Sequence, residues 1–238
     1  MRRLTIYILV LLLALLGASL VSFSDSPSEQ YDWNWSEFPK KPEIWKTTDL
    51  EAALKVLRPL AEQGDAHAQF NLGQMYFYGE VVPLDRKEAA KWFTLSGKKG
   101  YAKAQLVLGR MHGVGRDIPR DKDASLMWHN LAAEQGSIEA QVELAFAYRL
   151  RKGHPGISNP DPDDTAKAIK WFTRAAEQGD VFSMGQLASI YFSGVEVAGI
   201  PRDDAKAFKW HKLVAERGDV ESQLLLGVFY VTGRGVPQ

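Results

Sequence analysis

The sequence predicts an all-α fold, arranged as an α/α solenoid of about five antiparallel helix pairs. Three observations lead to this prediction. A glycine recurs along the chain at intervals of 36, 36, 43 and 39 residues. A leucine follows each glycine by eight residues, and a small residue follows each leucine. An aspartate begins a second segment in every period, and self-similarity of this kind is typical of repeat architectures. The repeated glycines and leucines are Gly64, Gly100, Gly136, Gly179 and Gly218, with Leu72, Leu108, Leu144, Leu187 and Leu226.

The second segment of each period, which we call helix B, begins at an aspartate. This aspartate stands seven residues before a tryptophan, or before Val56 in the first period. An aspartate at a helix start accepts bonds from free backbone N–H groups and suits the positive end of the helix dipole. We therefore predict helices B over residues 49–63, 85–99, 121–135, 164–178 and 203–217.

The segment that follows each repeated glycine, which we call helix A, completes the pair. The glycine ends helix B in a left-handed cap, and the small residue nine positions later lets helices A and B approach closely. One pair cannot bury its apolar faces alone, whereas stacked pairs share a continuous core. Helices A are predicted over residues 65–78, 101–113, 137–150, 180–193 and 219–232.

The repeated residues resemble a known family. The run from Gly64 to Gly79 (GDAHAQFNLGQMYFYG), followed by Asp85, Glu88, Ala89 and Trp92, is similar to the Sel-like repeat (SLR), a relative of the tetratricopeptide repeats. The resemblance recurs in register over about residues 49–235. It implies a right-handed superhelix and a role as an adaptor or scaffold in protein–protein contact, often in bacterial envelopes.

Residues 1–24 are predicted to be a secretory signal peptide or an N-terminal membrane anchor. Arg2 and Arg3 precede a run from Leu4 to Phe23 that contains no charged residue. A basic segment followed by an apolar one is typical of a secretory signal, and this run is also long enough to span a bilayer. Since the positive end stays inside, we expect a periplasmic or secreted protein, or one anchored in the inner membrane through residues 4–23 and facing the periplasm.

Residues 25–48 differ in composition from both flanking regions and are predicted to be a Pro/Trp-rich linker or an N-terminal cap. Trp33, Trp35 and Trp45 are more aromatic side chains than a plain flexible linker would hold. They are expected to cover the open apolar end of the repeats, or to form a flap that binds sugar or peptide. The solenoid domain is predicted over residues 49–238.

Composition argues against several classes of function. Lys and Arg total 29 and Asp and Glu total 29, so the chain lacks the basic excess that is usual in a nucleic-acid binder. The absence of cysteine excludes disulfides, thiolate metal sites and cysteine nucleophiles.

Individual motifs predict no enzyme, cofactor or metal site. His129 and His211 each follow the repeated tryptophan, where Phe93 and Phe172 stand in sister repeats, and this predicts packing. The aspartates at 161, 163 and 164 lack the glycine and glutamate that an EF-hand loop needs, and Asp164 is predicted to be a helix cap. Ser96 and Lys99 match an S-x-x-K pair, but the accompanying S-D-N and K-T-G motifs do not occur.

A binding face is predicted along helix A, which lines the inner, concave face in related solenoids. Positions 3, 7, 10 and 14 after each repeated glycine form one helical stripe, and they differ strongly between repeats. We expect Val107, Val114, Phe146 and Phe182 to be exposed on this stripe and Arg110 with Phe146 to contact a protein or peptide. The predicted binding residues are Asn71, Gln74, Tyr78, Lys103, Val107, Arg110, Glu143, Phe146, Phe182 and Gln186.

The function predicted from sequence is that of a non-enzymatic scaffold or adaptor of the bacterial cell envelope. The alternatives are an immunity-type inhibitor of an exported toxin, an enzyme that acts on the cell wall, and a glycan-binding module that uses residues 25–48. The sequence stops where a further helix B would start, since Pro237 corresponds to Pro83 and Pro119. We therefore expect either a fragment or a last helix A with an unpaired apolar groove.

Overall fold

The computed structural model describes residues 49–115, 117–149, 162–195 and 199–236. The predicted signal or anchor at 1–24 and the predicted linker or cap at 25–48 lie outside the described residues. Among the described helices, none combines the length and the apolar character needed to cross a bilayer.

The all-α prediction is confirmed for the described part of the chain, which forms ten helices. Apart from the helices, the described backbone contains one isolated antiparallel bridge between Val195 and Ile200. Odd-numbered helices are helices B and even-numbered helices are helices A. Their bounds are α1 Leu50–Glu62, α2 Ala66–Tyr78, α3 Arg86–Lys98, α4 Ala102–Val114, α5 Lys122–Glu134, α6 Ile138–Arg149, α7 Pro162–Glu177, α8 Val181–Ser193, α9 Asp204–Ala215 and α10 Val220–Thr232.

The helix ends follow from local side-chain chemistry. The predicted caps form on α1, α3, α5 and α9, where the aspartate carboxylate accepts a hydrogen bond from the backbone N–H three residues later. The five repeated glycines all have φ between +90° and +98°, a conformation that favours glycine. The repeat period is therefore set by a start signal and a stop signal that each act within one helical turn.

The prediction that Asp164 caps its helix is wrong. Helix α7 begins at Pro162, so Asp164 lies within the first turn, where it is buried. Proline favours the first position of a helix because its fixed φ suits the helix and its missing N–H would be unpaired there. Asp163 and Asp164 then suit the positive end of the helix dipole.

The described residues fall into two compact units, 49–147 and 148–236. In the first unit, a buried glutamine of each helix A donates its amide N–H to a carbonyl in the last turn of the preceding helix B. The distances are 3.0 Å from Gln69 to Ala61, 2.9 Å from Gln105 to Gly97 and 3.0 Å from Gln141 to Ala133. Carbonyls at a helix end have no partner within the helix, so each bond fixes one helix pair.

In the second unit, aromatic side chains of α8, α9 and α10 form the core. Phe229 packs edge-on against Phe192 and Phe208, with both pairs of ring centroids 5.8 Å apart. Gln223 repeats the amide bond of the first unit, with a distance of 3.2 Å to the carbonyl of Ala215. Met184 stands at the equivalent position of α8.

Candidate interaction site

Most of the residues predicted to form the binding face lie deeper in the structure than expected. Lys103 is exposed, and Asn71, Tyr78 and Arg110 are partly buried. The other six are buried: Gln74, Val107, Glu143, Phe146, Phe182 and Gln186.

The expectation that Val107, Phe146 and Phe182 are exposed is wrong, whereas Val114 is exposed as predicted. The reason is that a helix A has more neighbours than its own pair supplies. In the first unit, α4 packs against α3 and α5, and Arg110 of α4 also reaches Glu143 of α6. Only a narrow strip of each helix A in the first unit therefore stays open to solvent. Whether this strip binds a partner stays a prediction.

A buried charge cluster lies on the predicted stripe of the first unit. The guanidinium of Arg110 donates to Oε1 of Glu143 through both Nε and an Nη atom. Nε2 of His129, on α5, lies 2.9 Å from the other carboxylate oxygen, although its N–H is not aligned for a regular hydrogen bond. None of the three side chains is more than 12% exposed. The cluster joins α4, α5 and α6.

The cluster keeps Glu143 ionised. Burial by itself raises the pKa of this carboxyl, but His129 and Arg110 beside it outweigh burial and hold the pKa below its usual value. A buried ion pair is costly to break because the remaining charge is left without compensation. We conclude that Arg110 is a positioning residue for α4 and α6 and is not a free cation for a partner.

The opposite edge of the His129 ring is fixed by α4. Nδ1 lies 3.4 Å from Oγ of Ser125, and this hydroxyl donates to the carbonyl of Gly109 at 2.7 Å. A Cβ atom on Gly109 would lie 2.6 Å from the imidazole. Only glycine lets the ring lie this close to the α4 backbone, and the ring is thereby held against Glu143.

Sequence reasoning placed Arg110 and Glu143 on the same stripe but did not pair them. A signal for the pair was present, because the two residues have opposite charges at neighbouring positions of consecutive helices A. Sequence reasoning also interpreted His129 purely as a replacement for an aromatic residue. Burial agrees with that prediction, and the contact with the carboxylate adds a second role.

In the second unit, the predicted residues Phe182 and Gln186 are part of the packing of α8. The amide oxygen of Gln186 accepts a hydrogen bond from the guanidinium of Arg149. Gln186 occupies the same repeat position as Glu143, seven residues after the glycine. An arginine therefore bonds to this position in both units, once with a carboxylate and once with an amide.

Two other groups with possible chemistry occupy packing positions. Ser96 is fully buried, and its hydroxyl donates to the carbonyl of Ala66 at 2.6 Å, while Lys99 is exposed. The serine of the S-x-x-K pair thus bonds a helix to its neighbour. Across the described ranges, no group of three or more His, Cys, Asp or Glu side chains is placed to hold a metal ion.

Among the residues that the sequence analysis singled out for binding or exposure on this stripe, Asn71, Tyr78, Lys103 and Val114 have accessible side chains in the first unit. These side chains offer an amide, a phenol, an ammonium group and an apolar contact. We call this set the helix-A strip. Such a mixture is suited to recognition of a protein surface or a peptide.

Comparisons with known proteins support the repeat assignment. Among solved structures, the chain is similar to a protective antigen of uropathogenic Escherichia coli strains that displays an SLR fold, with 37% identity and a TM-score of 0.65. That match covers 80% of this chain and only 38% of the antigen. A Sel1 repeat protein from Oxalobacter formigenes shares 28% identity, with a TM-score of 0.61, over 82% of this chain and 74% of that one. The comparison with curated proteins gives no match.

A family model provides the assignment itself. The model of the Sel1 repeat matches five consecutive segments, namely residues 66–101, 102–137, 138–180, 181–219 and 220–238. Their boundaries follow the glycine-to-glycine period, and together they span well over half of the sequence. The chain belongs to the Sel1 repeat family.

Proposed function

We propose that this chain is a non-enzymatic scaffold of the bacterial cell envelope that binds a protein or peptide through its helix-A strip. Proteins with Sel1 repeats generally act in protein–protein interaction and are typically non-enzymatic scaffolds.

The observation that carries the proposal is that helix A has two sets of side chains: buried ones that hold the helices together and exposed ones that are accessible to a partner. The buried cluster of Arg110, Glu143 and His129 fixes α4, α5 and α6 to one another. Lys103 and Val114 lie at either end of α4 and remain exposed on this fixed frame. A surface held rigid before binding loses less conformational entropy when the partner arrives.

The chemistry of the helix-A strip indicates the kind of partner. Tyr78 is partly buried, and tyrosine is enriched at protein interfaces because it combines a large apolar ring with a hydrogen-bonding group. Lys103 carries a charge that no ion pair of the structure neutralises among the described residues. We therefore expect a partner segment that offers an acidic group beside an apolar one.

The binding test is affinity capture from the envelope fraction of the source bacterium, with the full chain as bait. The double variant Lys103→Glu/Val114→Asp reverses the charge of the strip and removes its apolar contact. The matched control, Lys87→Glu/Leu95→Asp, likewise replaces one lysine by glutamate and one aliphatic residue by aspartate at exposed positions of α3, a helix B. We expect the control to retain the proteins captured by wild type and the strip variant to lose them. Equal capture by both variants would refute the proposed face.

The envelope location is tested separately. Residues 4–23 are apolar and follow two arginines, which supports export. We expect added protease to digest the protein in spheroplasts with a sealed inner membrane. N-terminal sequencing then distinguishes a cleaved signal from an intact anchor. Protection from protease until the inner membrane is lysed would contradict the envelope location.

A further inference from the structure

The repeats of the first unit interlock through a side chain and a socket. Phe93 of α3 inserts between Phe70, Gly73 and Phe77 of α2, the helix A that precedes it. Its ring centroid lies 5.5 Å from that of Phe70 and 6.4 Å from that of Phe77. A Cβ atom on Gly73 would lie 2.7 Å from the ring. We call the three α2 residues the socket and Phe93 the inserted side chain.

This arrangement is repeated along the chain. In α5 and α9, as in α3, the side chain eight residues after the repeated aspartate lies against the preceding helix A: His129 lies against Gly109 of α4, and the ring centroid of His211 lies 6.2 Å from that of Phe192 on α8. By repeat position, the socket residues stand 6, 9 and 13 residues after the repeated glycine. The side chains at the equivalent position of α3, α5, α7 and α9 are all buried, namely Phe93, His129, Phe172 and His211.

The socket of α10 is open in the described structure. Its three residues are Leu224, Gly227 and Val231. Leu224 is 66% exposed and Val231 is 55% exposed, whereas their equivalents in α2, Phe70 and Phe77, are buried. A Cβ atom on Gly227 would meet nothing within 4 Å. This face therefore has the residues that receive a helix B in other repeats, but no described helix packs against them.

Helix α1 presents the complementary surface. It is a helix B, and within the described residues no helix A precedes it. Leu57 occupies the inserted position and is only partly buried, unlike its four equivalents. Leu60, equivalent to the fully buried Ser96, is 42% exposed, and Val56, equivalent to the first repeated tryptophan, is 62% exposed. The apolar surface left open on α1 is therefore the surface that α3 buries against its neighbours.

We propose that the α10 socket of one molecule binds α1 of a second copy of this chain, with Leu57 inserted over Gly227. The two surfaces are the halves of a junction that the chain already forms internally. Because different patches meet, the contact is head-to-tail and can propagate from molecule to molecule. Burial of the exposed leucines and valines drives it, and the Asp49 cap places the helix in the repeat register.

The first test measures molar mass against concentration for the full chain in a mild non-ionic detergent, using sedimentation velocity. We expect the wild-type mass to rise with concentration. Leu224→Glu destroys the socket, and Val56→Glu/Leu60→Glu destroys the apolar surface of α1, so each variant alone should be monomeric. An equimolar mixture retains one intact socket and one intact α1 surface and should form dimers that grow no further. Met127→Glu, at an exposed apolar site of α5, serves as the control and should behave as wild type.

Two results would overturn the proposal in that experiment. One is a wild type that stays monomeric at every concentration, as it would if residues 25–48 covered the socket. The other is association that persists in either end variant, since a symmetric contact between two α10 helices would survive the loss of the α1 surface.

The second test examines the register and uses the absence of cysteine from the chain. Inside the molecule, Oγ of Ser96 lies 2.6 Å from the carbonyl oxygen of Ala66. The equivalent residues at the two ends are Leu60 and Val220, both exposed. We expect a mixture of the Leu60→Cys protein and the Val220→Cys protein to form a disulfide-linked dimer on mild oxidation, in at least tenfold excess over a Met127→Cys and Val220→Cys mixture. Equal yields in the two mixtures would overturn the proposed register.

Discussion

His211 is expected to make the second unit sensitive to mild acid. The imidazole is almost fully buried on α9, between the rings of Phe192 and Phe229. Nδ1 lies 3.1 Å from Oγ of Ser222, while Nε2 has no hydrogen-bond partner. Burial lowers the pKa of His211 from 6.5 to about 4, against a small opposing effect of Asp219. The folded state therefore holds this ring neutral at pH values where the unfolded chain protonates it.

The sign and size of the effect follow from linkage. Between pH 6.5 and about 4 the unfolded state binds more protons at this site than the folded state, so stability falls as the pH falls. At pH 5 the loss relative to pH 7.5 is about 2 kcal/mol, and it approaches roughly 3 kcal/mol below pH 4.

The equivalent positions of another repeat indicate which substitutions would remove this pH dependence of stability. At the positions of His211 and Ser222, the junction of α3 and α4 has Phe93 and Ala104, which pack in one buried cluster. The double variant His211→Phe/Ser222→Ala thus replaces a hydrogen-bonded pair by an apolar pair that the fold already uses. Replacing both partners by apolar groups is close to neutral for stability, so we expect a change within about 1 kcal/mol at pH 7.5.

The assay is urea unfolding followed by far-UV circular dichroism at pH 7.5 and pH 5.0. Between these pH values, wild type should lose about 2 kcal/mol more than the double variant. Ser222→Ala alone keeps the buried imidazole and should keep the wild-type pH dependence. If wild type and the double variant lose equal stability, the assignment of acid sensitivity to His211 is refuted.

The other predictions concern packing at Glu143 and Gly109 in the first unit and at Gly227 in the second. Glu143→Gln should lower the free energy of unfolding by roughly 3 kcal/mol, because Arg110 is left buried without its carboxylate, and Arg110→Met/Glu143→Leu should recover most of the loss in urea unfolding at pH 7.5. The stabilisation by Glu143 should be present above the usual carboxyl pKa and disappear as the pH falls through its lowered pKa. Gly109→Ala should lower the melting temperature, since the added Cβ would lie 2.6 Å from His129, at a cost of about 1–3 kcal/mol. Gly227→Ala should raise it slightly, because nothing lies within 4 Å and alanine favours a helix by about 0.5–1 kcal/mol.

The helices could be predicted from the sequence because their ends are determined locally. An aspartate that accepts a hydrogen bond from a backbone N–H three residues away, or a glycine with positive φ, depends on neighbours within one turn. Asp164 is the exception, and its neighbour Pro162 explains it. Pro162 and Asp164 both favour the start of a helix, and the helix begins at the proline.

The side-chain environment of helix A could not be predicted in the same way. Val107 and Val114 look equivalent on a helical projection, yet one is buried and the other exposed. Their difference depends on how far helices from other repeats extend along α4, and no periodicity of a single helix contains that information. The pairing of Arg110 with Glu143 has the same origin, because it joins residues that are 33 positions apart.

The helix ends depend on residues that recur in every repeat, whereas the side-chain environment of helix A depends on residues that differ between repeats. The socket position holds Gly73, Gly109 or Ala188 where a helix B packs on the following side, and the sequence keeps a glycine at 227, where the described structure shows no such helix. A glycine in the middle of an exposed helix is destabilising unless a close approach requires it. The retention of Gly227 together with exposed Leu224 and Val231 therefore indicates a surface shaped to receive a helix, and the exposed side of α1 is the described helix B that fits it.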